Sequence, residues 1–338
     1  MLSAIGDAVH VLPVANALKR GWPSCRITWI IQPAAHALVQ GHPAIDEFVV
    51  FHRRPGPGAW RSFATLREQL RGRSFDLLLG LQVYLKAGLI TAMAPARVKL
   101  GFDRRRARDL QWLFTNRRIP PHAPQHVQDQ YLEFVRHLGV EPEPVRWDLD
   151  LTEAEREDQA TFFARLDRPA CAFVVGTSKR EKNWTVEGYA RVCEEVERRH
   201  GLRPLLVGGP SATERRMADQ VSAACAVAVV DALGDDLRRL AWLIEGSALL
   251  VTPDTGPLHI ARALGTPVVG LFGYTNPKRS GPYRAFQDLI VDGYAECLGE
   301  NYEATHRYRT GMERISVDSV LEKVSLAVSR YGAGGAPR

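Results

Sequence analysis

Two hydrophobic patterns alternate along the chain: short β-branched or leucine-rich runs, and longer stretches whose apolar positions recur at helical spacing. In the first half the short runs lie at residues 26–31, 47–51, 75–79 and 98–100. In the second half they lie at 171–175, 203–207, 227–230, 248–251 and 267–272. Nearly continuous apolar strands separated by amphipathic helices predict β-α units on parallel sheets, because a strand covered on both faces has no polar side to show. The expected fold is therefore α/β, with two Rossmann-like halves.

Residues 140–144, Val-Glu-Pro-Glu-Pro, break regular structure, and Leu151-Thr152-Glu153-Ala154-Glu155 has the spacing of a cap opening a charged helix. These signals set an N-terminal domain at 1–155 and a C-terminal domain at 165–330, with the boundary near 150–168. Residues 331–338, rich in Gly, Ala and Pro, read as a flexible tail. Two such domains facing one another make a cleft at the carboxyl ends of their strands, where ligands of doubly wound sheets bind.

With 338 residues, 45% of them hydrophobic, the chain has enough apolar surface for a sizeable core. Its longest apolar stretches, such as 226–230, fall far short of the roughly 20 residues that span a bilayer. No charged segment precedes an apolar one at the N-terminus, so the expected protein is soluble and cytoplasmic. Cys25, Cys171, Cys193, Cys225 and Cys297 are odd in number and lack C-x-x-C spacing, which argues for reduced, mostly buried thiols rather than disulfides or structural zinc.

The net charge of +6 is unevenly distributed: residues 1–150 carry 20 Lys/Arg against 13 Asp/Glu, and the remainder 24 against 25. The basic clusters Arg53-Arg54, Arg104-Arg105-Arg106 with Arg108, and Arg117-Arg118 suit an anionic substrate, a membrane surface or nucleic acid; each also suits a solvated loop.

Three segments hold the candidate chemistry. Residues 252–267 run from a buried strand through Asp254-Thr255-Gly256-Pro257-Leu258-His259 into a helix. Asp254 or Thr255 is placed to cap that helix, and its N-terminus suits a diphosphate, although strand–Asp–Gly–helix turns also occur without ligands. Residues 176–184, Gly-Thr-Ser-Lys-Arg-Glu-Lys-Asn-Trp, offer hydroxyls at Thr177 and Ser178 and an ammonium at Lys182, which suit a departing diphosphate. The same loop also reads as a solvated βα turn, with Trp184 packed at the next helix. Near the N-terminus, Ser3-Ala4-Ile5-Gly6-Asp7-Ala8-Val9-His10 forms a small-residue turn before a helical pattern over 11–20. There Asp7 is either a cleft-facing carboxylate or a plain N-cap, and His10 reads as packed. Dinucleotide, Walker, zincin and nucleophile-elbow motifs are absent from the sequence.

Ser-x-x-Gly-Asp at 3–7, Gly-Thr-Ser-x-x-x-Lys-x-Trp at 176–184 and Asp-Thr-Gly-Pro-x-His at 254–259, in this order, resemble the ADP-heptose:lipopolysaccharide heptosyltransferases, glycosyltransferase family 9. Smaller matches at 81–86, 101–108, 208–215 and 272–277 extend the resemblance over nearly the whole chain. It implies a GT-B enzyme, inverting and metal-independent, that needs no cofactor and moves heptose from ADP-L-glycero-D-manno-heptose, a substrate, to the lipopolysaccharide inner core. The work would be done peripherally at the cytoplasmic face of the inner membrane. The Ser-x-x-Gly-Asp-x-x-His form is most similar to heptosyltransferase I, whose acceptor is Kdo-modified lipid A.

By that resemblance Asp7 is the general base and Lys182 with Thr177 and Ser178 contacts the diphosphate. Glu214 contacts the ribose, Asp254 through His259 grip diphosphate and heptose, and Arg53, Arg54, Lys86 and Arg108 meet the anionic acceptor. Members carry an apolar strand before the Ser-x-x-Gly-Asp turn. Here only Met1 and Leu2 precede it, so the first strand of the N-terminal domain is expected to be missing, through a late start or a true lack. Gly273-Tyr274-Thr275 stands where Gly-Pro-Thr is usual. Another family 9 donor or acceptor is the alternative, and a basic module without catalysis the remote one. Against nucleic acid stand the lack of any binding motif and the nearly neutral second half.

Overall fold

The computed structural model describes residues 1–54, 56–295, 302–305 and 307–332, so Cys297 and residues 333–338 of the expected tail lie outside the described residues. The chain forms two compact units, residues 1–123 with 127–148, and residues 124–126 with 149–338.

In the first unit, α1 (Ile5–Gly21), β1 (Thr28–Ile31), α2 (Pro33–Val39), β2 (Glu47–Val50), α3 (Ala59–Gln69) and β3 (Phe75–Gly80) follow in order. Then come α4 (Leu85–Met93), β4 (Ala96–Gly101), β5 (Arg117–Arg118) and α5 (Val127–His137). Its strands lie in two parallel ribbons, β1-β2 and β3-β4-β5. Residues 1–3 join them. The Leu2 carbonyl accepts from the Gln32 N–H beyond β1 at 2.9 Å, and the Leu2 N–H donates to Gln82 Oε1 beyond β3 at 2.9 Å. Gln82 Nε2 donates in turn to the Ser3 carbonyl at 2.7 Å. The Leu2 side chain is buried with Val49, Phe51, Leu66, Leu70, Ile90 and Ala94. No strand is formed by residues 1–3, so side-chain amides meet the backbone groups that a ladder would otherwise satisfy.

The second unit contains α6 (Glu153–Phe163), β6 (Ala170–Val174), α7 (Val186–His200), β7 (Arg203–Val207), α8 (Ala212–Ala224), β8 (Val230–Asp231) and α9 (Leu237–Glu245). These are followed by β9 (Leu249–Pro253), α10 (Gly256–Leu264), β10 (Val268–Phe272), α11 (Pro277–Ser280), β11 (Ile290–Asp292) and α12 (Val317–Tyr331). Six parallel strands form one sheet in the order β11-β10-β9-β6-β7-β8. The chain starts at β6, builds outward through β7 and β8, then crosses back to β9. The β6/β9 boundary is therefore the point where the winding reverses, the usual ligand position in such sheets. Every residue of β6, β9 and β10 is buried, as their unbroken apolar runs require.

Several expectations are corrected. The run at 227–230 enters the ladder only from Val230, since β7 offers it two partners at the sheet edge. β5 and β11 carry charged or acidic residues in short pairings and have no apolar-run signature. Tyr331, expected in the tail, closes α12 and its hydroxyl donates to Asp288 at 2.9 Å. The cap expected at 152–155 is present: the Thr152 and Glu155 side chains bond reciprocally to each other's backbone. Cys25, Cys171, Cys193 and Cys225 are free thiols, two buried and two half-buried.

Candidate functional site

In the second unit, the loop after β6 and the turn after β9 meet at the winding reversal. Lys182, ending a 3-10 turn at Arg180–Lys182, donates through Nζ to the Asp254 carbonyl at 2.6 Å and approaches its Oδ2 at 3.4 Å. Ser280 Oγ donates to Asp254 Oδ2 at 3.1 Å, and His259 Nε2 stands 3.6 Å from Oδ1. Burial alone would raise the Asp254 pKa. The Lys182 ammonium, His259 and a hydrogen bond from Thr275 together outweigh it and hold the carboxyl well below the usual carboxylate range.

Neither expected cap of α10 operates through its side chain. Thr255 is the N-cap residue, but its hydroxyl turns back to the Pro253 carbonyl at 3.3 Å, and the Asp254 carboxylate is held by the groups just described. The helix start, with Gly256 first and Pro257 second, thus has no side-chain acceptor on its N–H groups, which suits an anion. Leu258 is fully buried, so its part in the turn is through backbone, and His259 is buried beside Asp254.

Thr177 is buried, and its hydroxyl donates to the Lys179 carbonyl at 2.6 Å while its N–H donates to Asn183 Oδ1 at 2.9 Å. The Thr177 hydroxyl proton therefore shapes the loop; Ser178 is the exposed hydroxyl. Glu214 lies in the first turn of α8, its Oε1 accepting from the Gly209 N–H at 2.9 Å and its Oε2 from Ser211 Oγ at 2.5 Å. A Cβ on Gly176 would stand 2.7 Å from Glu214 Cα, so glycine there lets the β6 loop press against α8. Trp184 is buried just before α7 and donates to the Ile315 carbonyl at 2.9 Å. Tyr274, in place of the usual proline, stacks on Tyr308 at 4.9 Å between ring centroids.

In the first unit, α1 starts at Ile5 rather than beyond the small-residue turn, and Ala4 is its N-cap. Asp7 therefore sits in the first helical turn, where the helix dipole favours a carboxylate, and is not the cap. The Tyr131 hydroxyl donates to Asp7 Oδ1 at 3.4 Å from α5. His10 is packed: its Nδ1 pairs with Gln128 Oε1 at 2.9 Å, and Gln128 Nε2 donates to the His10 carbonyl at 2.9 Å.

Arg53, Arg54 and Lys86 come together around a cavity of about 460 Å³ walled by Phe51, Phe63, Tyr84, Leu85 and Leu89. Burial, then the Arg53 charge, lowers the Lys86 pKa below the usual lysine value. Arg108 is exposed and does not line this cavity; its backbone N–H donates to the Val83 carbonyl at 2.8 Å, and the next residue, Asp109, is a wall residue. The sequence reading missed Asn183, Thr275 and Ser280 around the donor loop, and Tyr131 beside Asp7. Asn183 and Thr275 lie inside recognised motifs; Ser280 and Tyr131 carry no local signal. Among the described residues no cluster of three or more His, Cys, Asp or Glu is arranged to hold a metal ion. No helix among them is long and apolar enough to cross a membrane.

A parallel sheet with a basic side chain and an uncapped helix start at its winding reversal is the arrangement in which α/β proteins bind anionic ligands. The comparisons give the family: residues 63–305 match glycosyltransferase family 9 (heptosyltransferase), and the chain belongs to it. The lipopolysaccharide core heptosyltransferase OpsX of Haemophilus influenzae is 32% identical over 296 residues, covering 87% of this chain and 83% of the relative. Lipopolysaccharide heptosyltransferase 1 of Pseudomonas aeruginosa is 29% identical, covering 91% and 88%. Among solved structures, the family 9 glycosyl transferase of Veillonella parvula superposes with a TM-score of 0.82 at 22% identity, covering 97% and 96%. E. coli heptosyltransferase WaaC with ADP gives 0.77 at 21% identity, covering 96% and 98%. The fold is GT-B, and the protein is a glycosyltransferase.

Proposed function

We propose that this enzyme transfers heptose from ADP-L-glycero-D-manno-heptose to an inner-core acceptor of the Kdo-lipid A type, by a single displacement that inverts the anomeric centre and needs no metal or cofactor. The acceptor hydroxyl oxygen bonds to the anomeric carbon while its proton passes to the Asp7 carboxylate. The bond from that carbon to the diphosphate oxygen breaks, and ADP leaves with the electron pair. Lys182 and the α10 N-terminus stabilise the charge on ADP, Ser178 and the turn 254–259 hold diphosphate and sugar, and Glu214 takes the ribose. On this reading the work is done at the cytoplasmic face of the inner membrane. The observation that carries this reading is the Lys182–Asp254 contact at 2.6 Å beside an uncapped helix start.

Asp7→Asn tests it. Turnover should fall by roughly 10²-fold or more with ADP-heptose affinity within a few-fold, because a general base acts on the transition state and hardly on donor binding. Retention of more than about a tenth of wild-type kcat removes Asp7 from the role. In the same assay excess EDTA should leave the rate unchanged, and ADP-heptose should raise the melting temperature more than GDP-mannose or UDP-GlcNAc; preference for another donor selects a different family 9 reaction.

A further inference from the structure

Large apolar side chains exposed to solvent are unevenly placed. Of eight among the described residues, seven lie in the first unit: Trp22, and the six Trp60, Tyr84, Leu85, Leu89, Leu110 and Leu113. The six belong to adjoining pieces. Residues from 51–63, 84–89 and Asp109 wall one cavity, and the 3-10 turn Gln111–Phe114 packs on α4 so closely that a Cβ on Gly88 would stand 2.4 Å from the Phe114 ring. Trp60 is 65% exposed, Leu110 58% and Leu113 56%, and grouped together rather than scattered singly they call for an explanation. Leu85 and Leu89, four residues apart, share one face of α4.

The charge around this apolar group is predominantly positive. Segments 52–63, 84–89 and 104–114 carry Arg53, Arg54, Arg61, Lys86, Arg104, Arg105, Arg106 and Arg108, against Asp109 alone. Arg106 is committed to Asp103 and Glu133, whereas Arg104 lies over the Trp112 ring at 4.3 Å and Arg61 over Trp60 at 5.4 Å. Trp and Leu at the tips with guanidinium groups beside them are the composition of a surface that sinks its apolar part to headgroup depth and pairs its cations with anionic headgroups. A second copy of this chain would bring the same positive charge against itself.

We propose that this face, built from Trp60, Leu85, Leu89, Leu110 and Leu113 with Arg61, Arg104 and Arg105 around them, docks on an anionic phospholipid bilayer. It extends the proposed function, which sets the enzyme at a membrane, by assigning the surface that touches it; vesicle binding is read without donor or acceptor.

The test is co-flotation of the full chain with phosphatidylcholine vesicles, with and without phosphatidylglycerol. Wild type should bind only the phosphatidylglycerol vesicles, and less as salt rises from about 0.05 to about 0.5 M. The triple variant Trp60→Ser, Leu110→Ser, Leu113→Ser should lose on the order of tenfold in binding, with unchanged melting temperature and unchanged transfer to a de-acylated, water-soluble acceptor. Arg61→Glu with Arg104→Glu should abolish the preference for phosphatidylglycerol. Equal binding to both vesicles, full binding by either variant, or a dimer that the triple variant dissociates without losing vesicle binding would overturn the assignment. A correct vesicle pattern with no heptosyl transfer by the wild type would leave the docking face standing and defeat the proposed reaction.

Discussion

Asp254 shows how much one side chain carries. Its carboxylate gathers Lys182, His259, Ser280 and Thr275, so the ammonium beside the helix start is held by a buried anion rather than by solvent. Asp254→Asn should lower stability by about 3 kcal/mol, since it leaves a poorly solvated ammonium with a backbone carbonyl but no counter-charge. Because the folded-state pKa lies below the unfolded one, this contribution is fully present above the unfolded carboxylate value and is lost as pH falls through the folded value. Chemical denaturation across the acid range should therefore show wild type losing its advantage over Asp254→Asn as pH drops below about 4. A difference independent of pH would mean that the charge is not what stabilises. Ser280→Ala, which removes one neutral hydrogen bond, should cost about 1 kcal/mol and leave the pH dependence in place.

The elements around the sites follow from local signals to different degrees. Helix α6 begins with Thr152 and Glu155 in a reciprocal cap, and Glu155 also receives the Arg238 guanidinium from α9 through Nε at 2.6 Å. The Arg238 hydrogen bond, against the opposing effect of burial and with help from Thr152, holds the Glu155 pKa at about 2. The sign is that of a depressed acid: the stabilisation is present above the unfolded glutamate pKa and fades as pH falls towards about 2. With solvent screening, Glu155→Gln should cost about 1–2 kcal/mol at neutral pH, less at high salt, roughly half as much near pH 3 and little by about pH 2; urea melts at these pH values decide it. The capping spacing was legible because Thr-x-x-Glu is local, whereas its partner Arg238 lies 83 positions away and left no trace. The same divide runs through the fold. Strands β6, β9 and β10 were readable because burial on both faces enforces apolar runs, while β5 and β11 pair briefly and their charged residues hide them. Lys182, Asp254 and Asp7 were recognisable within motifs, but Ser280 reaches Asp254, and Tyr131 reaches Asp7, only through tertiary contact. Gly176 was legible as a loop residue, not as the place where the β6 loop meets α8. A methyl there strikes Glu214 Cα at 2.7 Å, so Gly176→Ala should raise donor KM about tenfold with a smaller change in kcat, measured by steady-state kinetics.

Across the whole chain, the surplus of positive charge lies in residues 1–150, and the structure gathers part of it around the cavity lined by Arg53, Arg54 and Lys86. Arg53 and Arg54 are exposed, while Lys86 is half-buried against apolar walls, which strengthens its attraction for an anion and also makes it easier to deprotonate. Arg53→Ala and Arg54→Ala should each raise acceptor KM about fivefold at low salt and less at high salt, with donor KM unchanged, as a lost charge-assisted hydrogen bond requires. Lys86 adds a pH dependence that a surface lysine would not. Burial and then Arg53 lower its pKa, so the ammonium is lost as pH rises through a value below the ordinary one, and acceptor affinity should fall at an alkaline pH where donor affinity holds. In Lys86→Arg the guanidinium stays charged throughout, so acceptor KM should become flat over the same range even if the larger fork fits the cavity less well. Plots of acceptor KM against pH for wild type and Lys86→Arg, at fixed ionic strength and with a de-acylated acceptor, separate the two behaviours. An alkaline rise that persists unchanged in Lys86→Arg, or acceptor KM values for Arg53→Ala and Arg54→Ala within about twofold of wild type, under roughly 0.4 kcal/mol, would place the acceptor anions elsewhere on the molecule.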